Sequence, residues 1–147
     1  MLFPSAQQIL VDRKDKSLEL PLRQVLKSGS PILARVHALW TMEGLGVLKE
    51  DDVLALLKNT DWTLRMQALT VLPSVLNKEN YKGFLPVLFA MCDENDVLAA
   101  PYLAFLSPSI QVFDPFSAKK LLLDLSKKYS GNIFISDAVI STLQNRE

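Results

Sequence analysis

Along the first half of the chain apolar residues recur at intervals of three and four, the spacing of one stripe on an α-helix. Leu18, Leu22, Val25 and Leu26 form the first such stripe, with Ser17 placed to cap its start and Gly29 to end it in a left-handed conformation. A second helix is predicted from near Pro31, directing Leu33, Val36, His37, Leu39 and Trp40 toward a core until Gly44 and Gly46 break it. Asp51 or Asp52 is placed to cap a third helix bearing Val53, Leu54, Leu56 and Leu57. Asn59-Thr60-Asp61 supplies the next loop and cap, and Leu64, Met66, Ala68, Leu69 and Leu72 are the apolar positions of a fourth. No segment sustains the alternation of period two that marks a half-buried strand. The predicted fold class is all-α.

The second half follows the same pattern with more prolines. Phe84 to Met91 reads as an apolar helix, and Leu121-Leu122-Leu123 with Leu125 as the apolar side of an amphipathic one flanked by Lys120, Lys127 and Lys128. Asp114 is placed to cap that helix, Pro115 suits its first turn, and Asp124 offsets the lysines. Pro73, Pro86 and Pro101 fall inside helical patterns, where each removes a backbone donor and bends the helix. Pro108, between Ser107 and Ser109, reads as a loop residue.

Beneath these helices lies a repeat. Leu33-Ala34-Arg35-Val36-His37-Ala38-Leu39 aligns with Thr63-Leu64-Arg65-Met66-Gln67-Ala68-Leu69, an offset of 30 that superposes Arg35 on Arg65, Ala38 on Ala68 and Leu39 on Leu69. Each stretch follows Leu-Lys and a short polar loop, Leu26-Lys27-Ser28-Gly29-Ser30 and Leu57-Lys58-Asn59-Thr60-Asp61. Asn95-Asp96-Val97-Leu98 and Asn132-Ile133-Phe134-Ile135 repeat the loop-to-helix junction without the arginine. Two helices per unit at such a period predict an α-α superhelix, here of about four helix pairs over residues 1–147 as a single domain. In it the small alanines let helices approach closely, and the arginines reach acidic or carbonyl groups of a neighbouring repeat.

Asp61-Trp62-Thr63-Leu64-Arg65-Met66-Gln67-Ala68-Leu69 resembles the HEAT-repeat consensus, an Asp-containing loop followed by Leu-Arg and Ala. Ala34-Arg35-Val36-His37-Ala38-Leu39-Trp40-Thr41-Met42-Glu43-Gly44-Leu45-Gly46 is similar to a stretch of large bacterial membrane-associated dehydrogenases or haem-binding proteins. In that group a sorbosone- or glucose-dehydrogenase-like β-propeller precedes HEAT repeats and a c-type cytochrome domain. Residues 5–13 resemble the preceding repeat of the group, and Ser136 to Leu143 with Asn145-Arg146-Glu147 a following one. The resemblance implies a fragment of a longer, periplasmic or membrane-associated protein whose haem c would be held elsewhere. The attachment motif Cys-x-x-Cys-His is missing here, because Cys92 is followed by Asp93-Glu94-Asn95. No cofactor and no catalytic residue is expected in this segment.

Charge and cysteine content narrow the remaining classes. Sixteen basic and sixteen acidic residues give a formal net charge of zero, which argues against a general nucleic-acid binder. No apolar run approaches the ~20 residues that would cross a bilayer. One cysteine excludes an internal disulfide framework and any zinc site built on several thiolates.

The candidate chemistry reduces to isolated residues. His37 is the only histidine and reads as a packed or hydrogen-bonded structural side chain. Cys92, beside Asp93, Glu94 and Asp96, reads as buried filler, since carboxylates oppose a thiolate. Gly44-Leu45-Gly46 lacks the third glycine and preceding strand of a dinucleotide fingerprint, and reads as a helix end. Trp40 reads as packing between repeats, and Trp62 as a partly exposed residue after its cap. The paired cations Lys119-Lys120, Lys127-Lys128 and Arg13-Lys14 read as solvated edges.

The structural repeat positions Arg35, Ala38, Trp40, Asp61, Trp62, Arg65 and Ala68 therefore carry the expected role. It is a non-catalytic scaffold or interaction module whose partners are neighbouring domains or another protein. A stand-alone protein binding a peptide in a concave groove is the alternative. The ends carry apolar repeat positions where capping helices are polar, which predicts end-to-end self-association.

Overall fold

The computed structural model describes residues 6–27 and 29–144. Among them the chain is all-α: nine α-helices, a short 3₁₀ turn over Lys16–Leu18, and no strand. The helices are α1 (Ala6–Asp12), α2 (Glu19–Lys27), α3 (Ile32–Gly44), α4 (Glu50–Leu57), α5 (Trp62–Val75), α6 (Tyr81–Asp93), α7 (Ala99–Gln111), α8 (Pro115–Lys128) and α9 (Ile133–Gln144). They divide between two compact units, Met1–Val75 and Leu76–Glu147. The left-handed end predicted at Gly29 abuts residue 28, which lies outside the described residues, as do Ser5 and residues 145–147.

In Met1–Val75 short polar side chains decide where helices start. Asp15, not Ser17, takes the first cap: its carboxylate accepts from the Ser17 N–H at 3.0 Å, and one 3₁₀ turn intervenes before α2. Asp52 lies inside the first turn of α4 and reaches back to the Lys49 N–H at 3.1 Å, the acidic half of a capping box. Asp61 caps α5 as its position predicts, accepting from the Leu64 N–H at 3.2 Å. The end of α3 is a Schellman turn. Val47 N–H bonds to Met42 O at 3.0 Å and Gly46 N–H to Glu43 O at 2.9 Å, with Gly46 at φ 68° where an L-residue is strained.

The same unit packs its helices alternately. α3 lies between α1 and α5, while α2 packs on α3 and α4 on α5. Its core includes Leu26, Leu39, Met42, Val53, Leu57, Leu64, Leu69 and Leu72, each buried. Burying such a side chain contributes about 1.5–3 kcal/mol. Leu33, predicted to face the core, is exposed, because the buried stripe of α3 runs through Ala38, Leu39 and Met42 on the other side.

One charged side chain is enclosed with this core. The guanidinium of Arg23 donates to Asp52 Oδ2 at 3.1 Å, to Glu19 Oε1 at 3.1 Å and to Val47 O at 2.8 Å. Lys49 adds an ion pair to Glu19 at 3.2 Å. Asp52 is buried, so its carboxylate depends on these partners for the solvation that water would supply.

In Leu76–Glu147, α7 is the central helix and packs against α6, α8 and α9. Ala99, Ala100 and Ala104 are buried on it, and their small size allows that many close neighbours. Pro108 stands inside α7, a correction to its placement in a loop. Leu106 and Ile110 are buried on either side of it and hold the helix together across the missing donor. Pro101 falls in the first turn of α7, where its absent N–H has no helical partner to lose, so it does not interrupt the helix interior. Pro73 and Pro86 do lie inside α5 and α6.

Caps recur here in one geometry. Asp96 accepts from Ala99 N–H at 3.3 Å, Asp114 from Ser117 N–H at 2.9 Å and Asn132 from Ile135 N–H at 3.3 Å. Asp114 also accepts from the Ser117 hydroxyl at 2.7 Å, and the Ser117 backbone and side-chain bonds hold its carboxyl below the ordinary value of 3.8.

Two measurements follow. Arg23→Ala leaves the Asp52 carboxylate enclosed without its counterion and should lower stability in urea unfolding by about 3 kcal/mol. For Asp114 the folded value is depressed, so its stabilisation is present above pH 3.8 and lost as pH falls through the lower folded value. The melting-temperature difference between wild type and Asp114→Asn, which keeps a cap without a charge, should therefore shrink as pH drops below about 4.

Candidate functional site

The thirty-residue offset places Gln7, His37 and Gln67 at one register on α1, α3 and α5. A side-chain hydrogen bond joins each adjacent pair of these helices, between His37 and Gln7 at that register and from Trp40, one turn beyond His37, to Gln67. His37 Nδ1 lies 3.0 Å from Gln7 Oε1, and Trp40 Nε1 donates to Gln67 Oε1 at 2.7 Å. Ala38 and Ala68, one position further on, are buried, so the backbones there come close. A Cβ built on Gly44 would meet Val11 Cγ2 at 2.8 Å, which gives α1 the same requirement for a small residue on α3.

The arginines enter this frame from the first turns of α3 and α5. Their amides close equivalent turns, Arg35 N–H on Pro31 O at 3.1 Å and Arg65 N–H on Asp61 O at 3.2 Å. Arg35 Nε then donates to Leu26 O at 2.8 Å, setting a cation against the last turn of α2, where the helix dipole favours it. Arg65 is half-buried at the matching register, and Trp62 is half-buried in the first turn of α5 beside the Asp61 cap. The repeat positions Arg35, Ala38 and Trp40 thus lie on one helix and Asp61, Trp62, Arg65 and Ala68 at the start and inner side of its neighbour, with the Trp40 indole bonded to Gln67 between them.

The isolated candidates take different places. His37 does not face the core as its stripe predicts but is exposed, and its ring is hydrogen-bonded to the Gln7 amide of α1. Cys92 is buried. Burial pushes its thiol above the ordinary 9.0, Asp124 and Asp93 add to the rise, and Lys128 and Lys120 oppose it. Lys128 is not a free solvated cation: its ammonium donates to Cys92 O at 3.0 Å and also to Asp93 O, and Tyr129 Oη donates to Glu94 O at 3.1 Å, so the C-terminal end of α8 is tied to that of α6. Among the described residues no three His, Cys, Asp or Glu side chains gather as metal ligands would. Among them, too, no helix is long and apolar enough to cross a membrane.

The surface carries more information than the interior. On α9, Ile135, Ala138, Val139 and Thr142 are buried, in a helix that packs on α7 and α8. Its outer side carries more hydrocarbon than usual: Ile133 is 74% and Phe134 82% exposed, with Ile140 and Leu143 exposed after them and Asp137, Ser141 and Gln144 as the polar residues among them. A solvent-facing helix normally carries polar residues there. The arrangement offers a contact surface.

Several of these residues escaped sequence reasoning. Glu19 and Arg23 stand four apart, a spacing that signals an ion pair, but nothing in the chain ties Arg23 to Asp52 twenty-nine residues on. Gln67 was visible only as the register mate of His37. The outer face of α9 was legible as an excess of apolar positions in Ile133-Phe134-Ile135. Compared with known protein families, with curated proteins and with solved structures, the chain matches none.

The environment of Cys92 sets a measurable reactivity. Iodoacetamide should leave the folded chain unmodified at pH 8 over a time that fully alkylates the urea-unfolded chain, as followed by intact mass. Comparable rates in the two states would show that the thiol is neither enclosed nor held protonated.

Proposed function

We propose that this chain is a HEAT-like helical-repeat scaffold, an α-α superhelix segment of a larger bacterial protein of the dehydrogenase or haem-binding kind that the repeat resembles. It performs no chemistry of its own and fixes neighbouring domains, or a partner protein, through its helix faces. The observation that carries this reading is α9, which leaves Ile133, Phe134, Ile140 and Leu143 exposed around Asp137 in addition to the apolar residues it packs inward, as a helix does when further helices cover it. The alternation of α1 to α5, with α1, α3 and α5 joined in turn by side-chain hydrogen bonds, supports it. So does the placement of Arg35 against the preceding helix, a structural use of the residue that stands out most in the repeat.

Sedimentation velocity on the purified chain tests the α9 surface. Association that grows with concentration and disappears in Ile133→Glu/Phe134→Glu is expected. A monomer at all concentrations, unchanged by the double substitution, would remove the observation on which the scaffold reading stands. Turnover of a sugar or alcohol by this chain with an added electron acceptor would overturn its non-catalytic character.

A further inference from the structure

The outer face of α8 has a different composition from that of α9. Phe116 is 78% and Leu123 45% exposed, and seven residues of helix set them about 10 Å apart along one stripe. Lys119 borders the stripe on one side and Lys120 and Lys127 on the other, while Leu121, Leu122 and Leu125 are buried on the opposite side of the helix. Phe116, Lys119, Lys120, Leu123, Asp124 and Lys127 line a groove of about 410 Å³.

The charges of this groove are unevenly spent. Asp124, its one carboxylate, is held by Lys120 at 2.5 Å, and the same ammonium lies 4.5 Å from the centre of the Phe89 ring on α6. Lys119 and Lys127 are exposed, and neither has an ion-pair partner among the described residues. Two apolar side chains are thus left exposed beside two cations that have no ion-pair partner among the described residues.

We infer that this groove on α8 docks an acidic amphipathic segment of a partner protein, whose apolar side chains cover Phe116 and Leu123 while its carboxylates meet Lys119 and Lys127. Charge complementarity selects that occupant: it neutralises the two lysines in the same contact that buries the stripe. A concave groove with a carboxylate on its rim suits an inserted side chain better than the flat immersion of a helix in an anionic bilayer. The inference goes beyond the scaffold reading and shares no residue with the α9 face, so either can fail while the other stands.

The test titrates the full chain into a fluorescein-labelled acidic peptide with two leucines seven positions apart and glutamates between them. Its glutamine counterpart, its lysine counterpart and phosphatidylglycerol-phosphatidylcholine vesicles are titrated in parallel. The acidic peptide should bind, and added salt should weaken it. Lys119→Glu/Lys127→Glu should weaken it about tenfold and Phe116→Ala several-fold. The double variant should in turn prefer the lysine peptide, a reversal that loss of folding cannot produce. All three positions are exposed, and circular dichroism melts check that the variants stay folded. No binding, equal binding of the glutamine peptide, indifference to the charge reversal, or binding to vesicles alone would each overturn the inference.

Discussion

Enclosing the Asp52 carboxylate is the constraint on which the first unit is arranged. A buried carboxylate must be solvated by the protein, and one guanidinium does most of that work here while also holding Glu19 and the carbonyl of Val47. Those four groups come from α2, from the turn after α3 and from the first turn of α4. Their common tie to Arg23 fixes how the chain leaves α3 and enters α4. Asp52 serves twice, because its carboxylate also satisfies the Lys49 amide at the start of α4. The Schellman turn at Gly46 delivers Val47 to the guanidinium, so a backbone conformation and an ion pair specify the same corner.

How much of this could be read from the chain differs by kind of interaction. Helix starts were legible where the signal is local. Asp61 and Asp114 cap as their positions predict, since a carboxylate needs only the amide three residues on. Helix ends at Gly44 and Gly46 were legible for the same reason. Ser17 misled because Asp15, two residues earlier, offers a stronger acceptor to the same backbone. Pro108 misled because loss of one backbone donor is outweighed by the buried Leu106 and Ile110 around it. Leu33 misled because two apolar stripes can be drawn on α3, and only packing against the neighbouring helices selects between them. The register of thirty was visible as matching letters, but the bond from Trp40 to Gln67 joins unlike residues and has no signature in a single chain. Surface features were hardest of all, since an exposed Phe134 and a buried Phe84 look alike until the helix is placed.

The two outward helix faces of the second unit differ in chemistry. α9 presents Ile133, Phe134, Ile140 and Leu143 around one carboxylate, Asp137, whereas α8 presents Phe116 and Leu123 edged with ammonium groups. Exposed hydrocarbon does not discriminate by charge between the groups that could cover it. A cationic border discriminates by charge and responds to salt.

The helix contacts also bear on how the chain reaches this form. Within each unit the main pairings join helices that are neighbours or next-but-one in sequence: α1 with α3, α3 with α5, α6 with α8, α7 with α9. The loops that must close before such contacts form are short, and their entropic cost is correspondingly small. A chain built this way needs no segment to wait for a distant one. Each helix has a partner within a few dozen residues of its own synthesis, so order can spread along the polypeptide in the direction in which it is made.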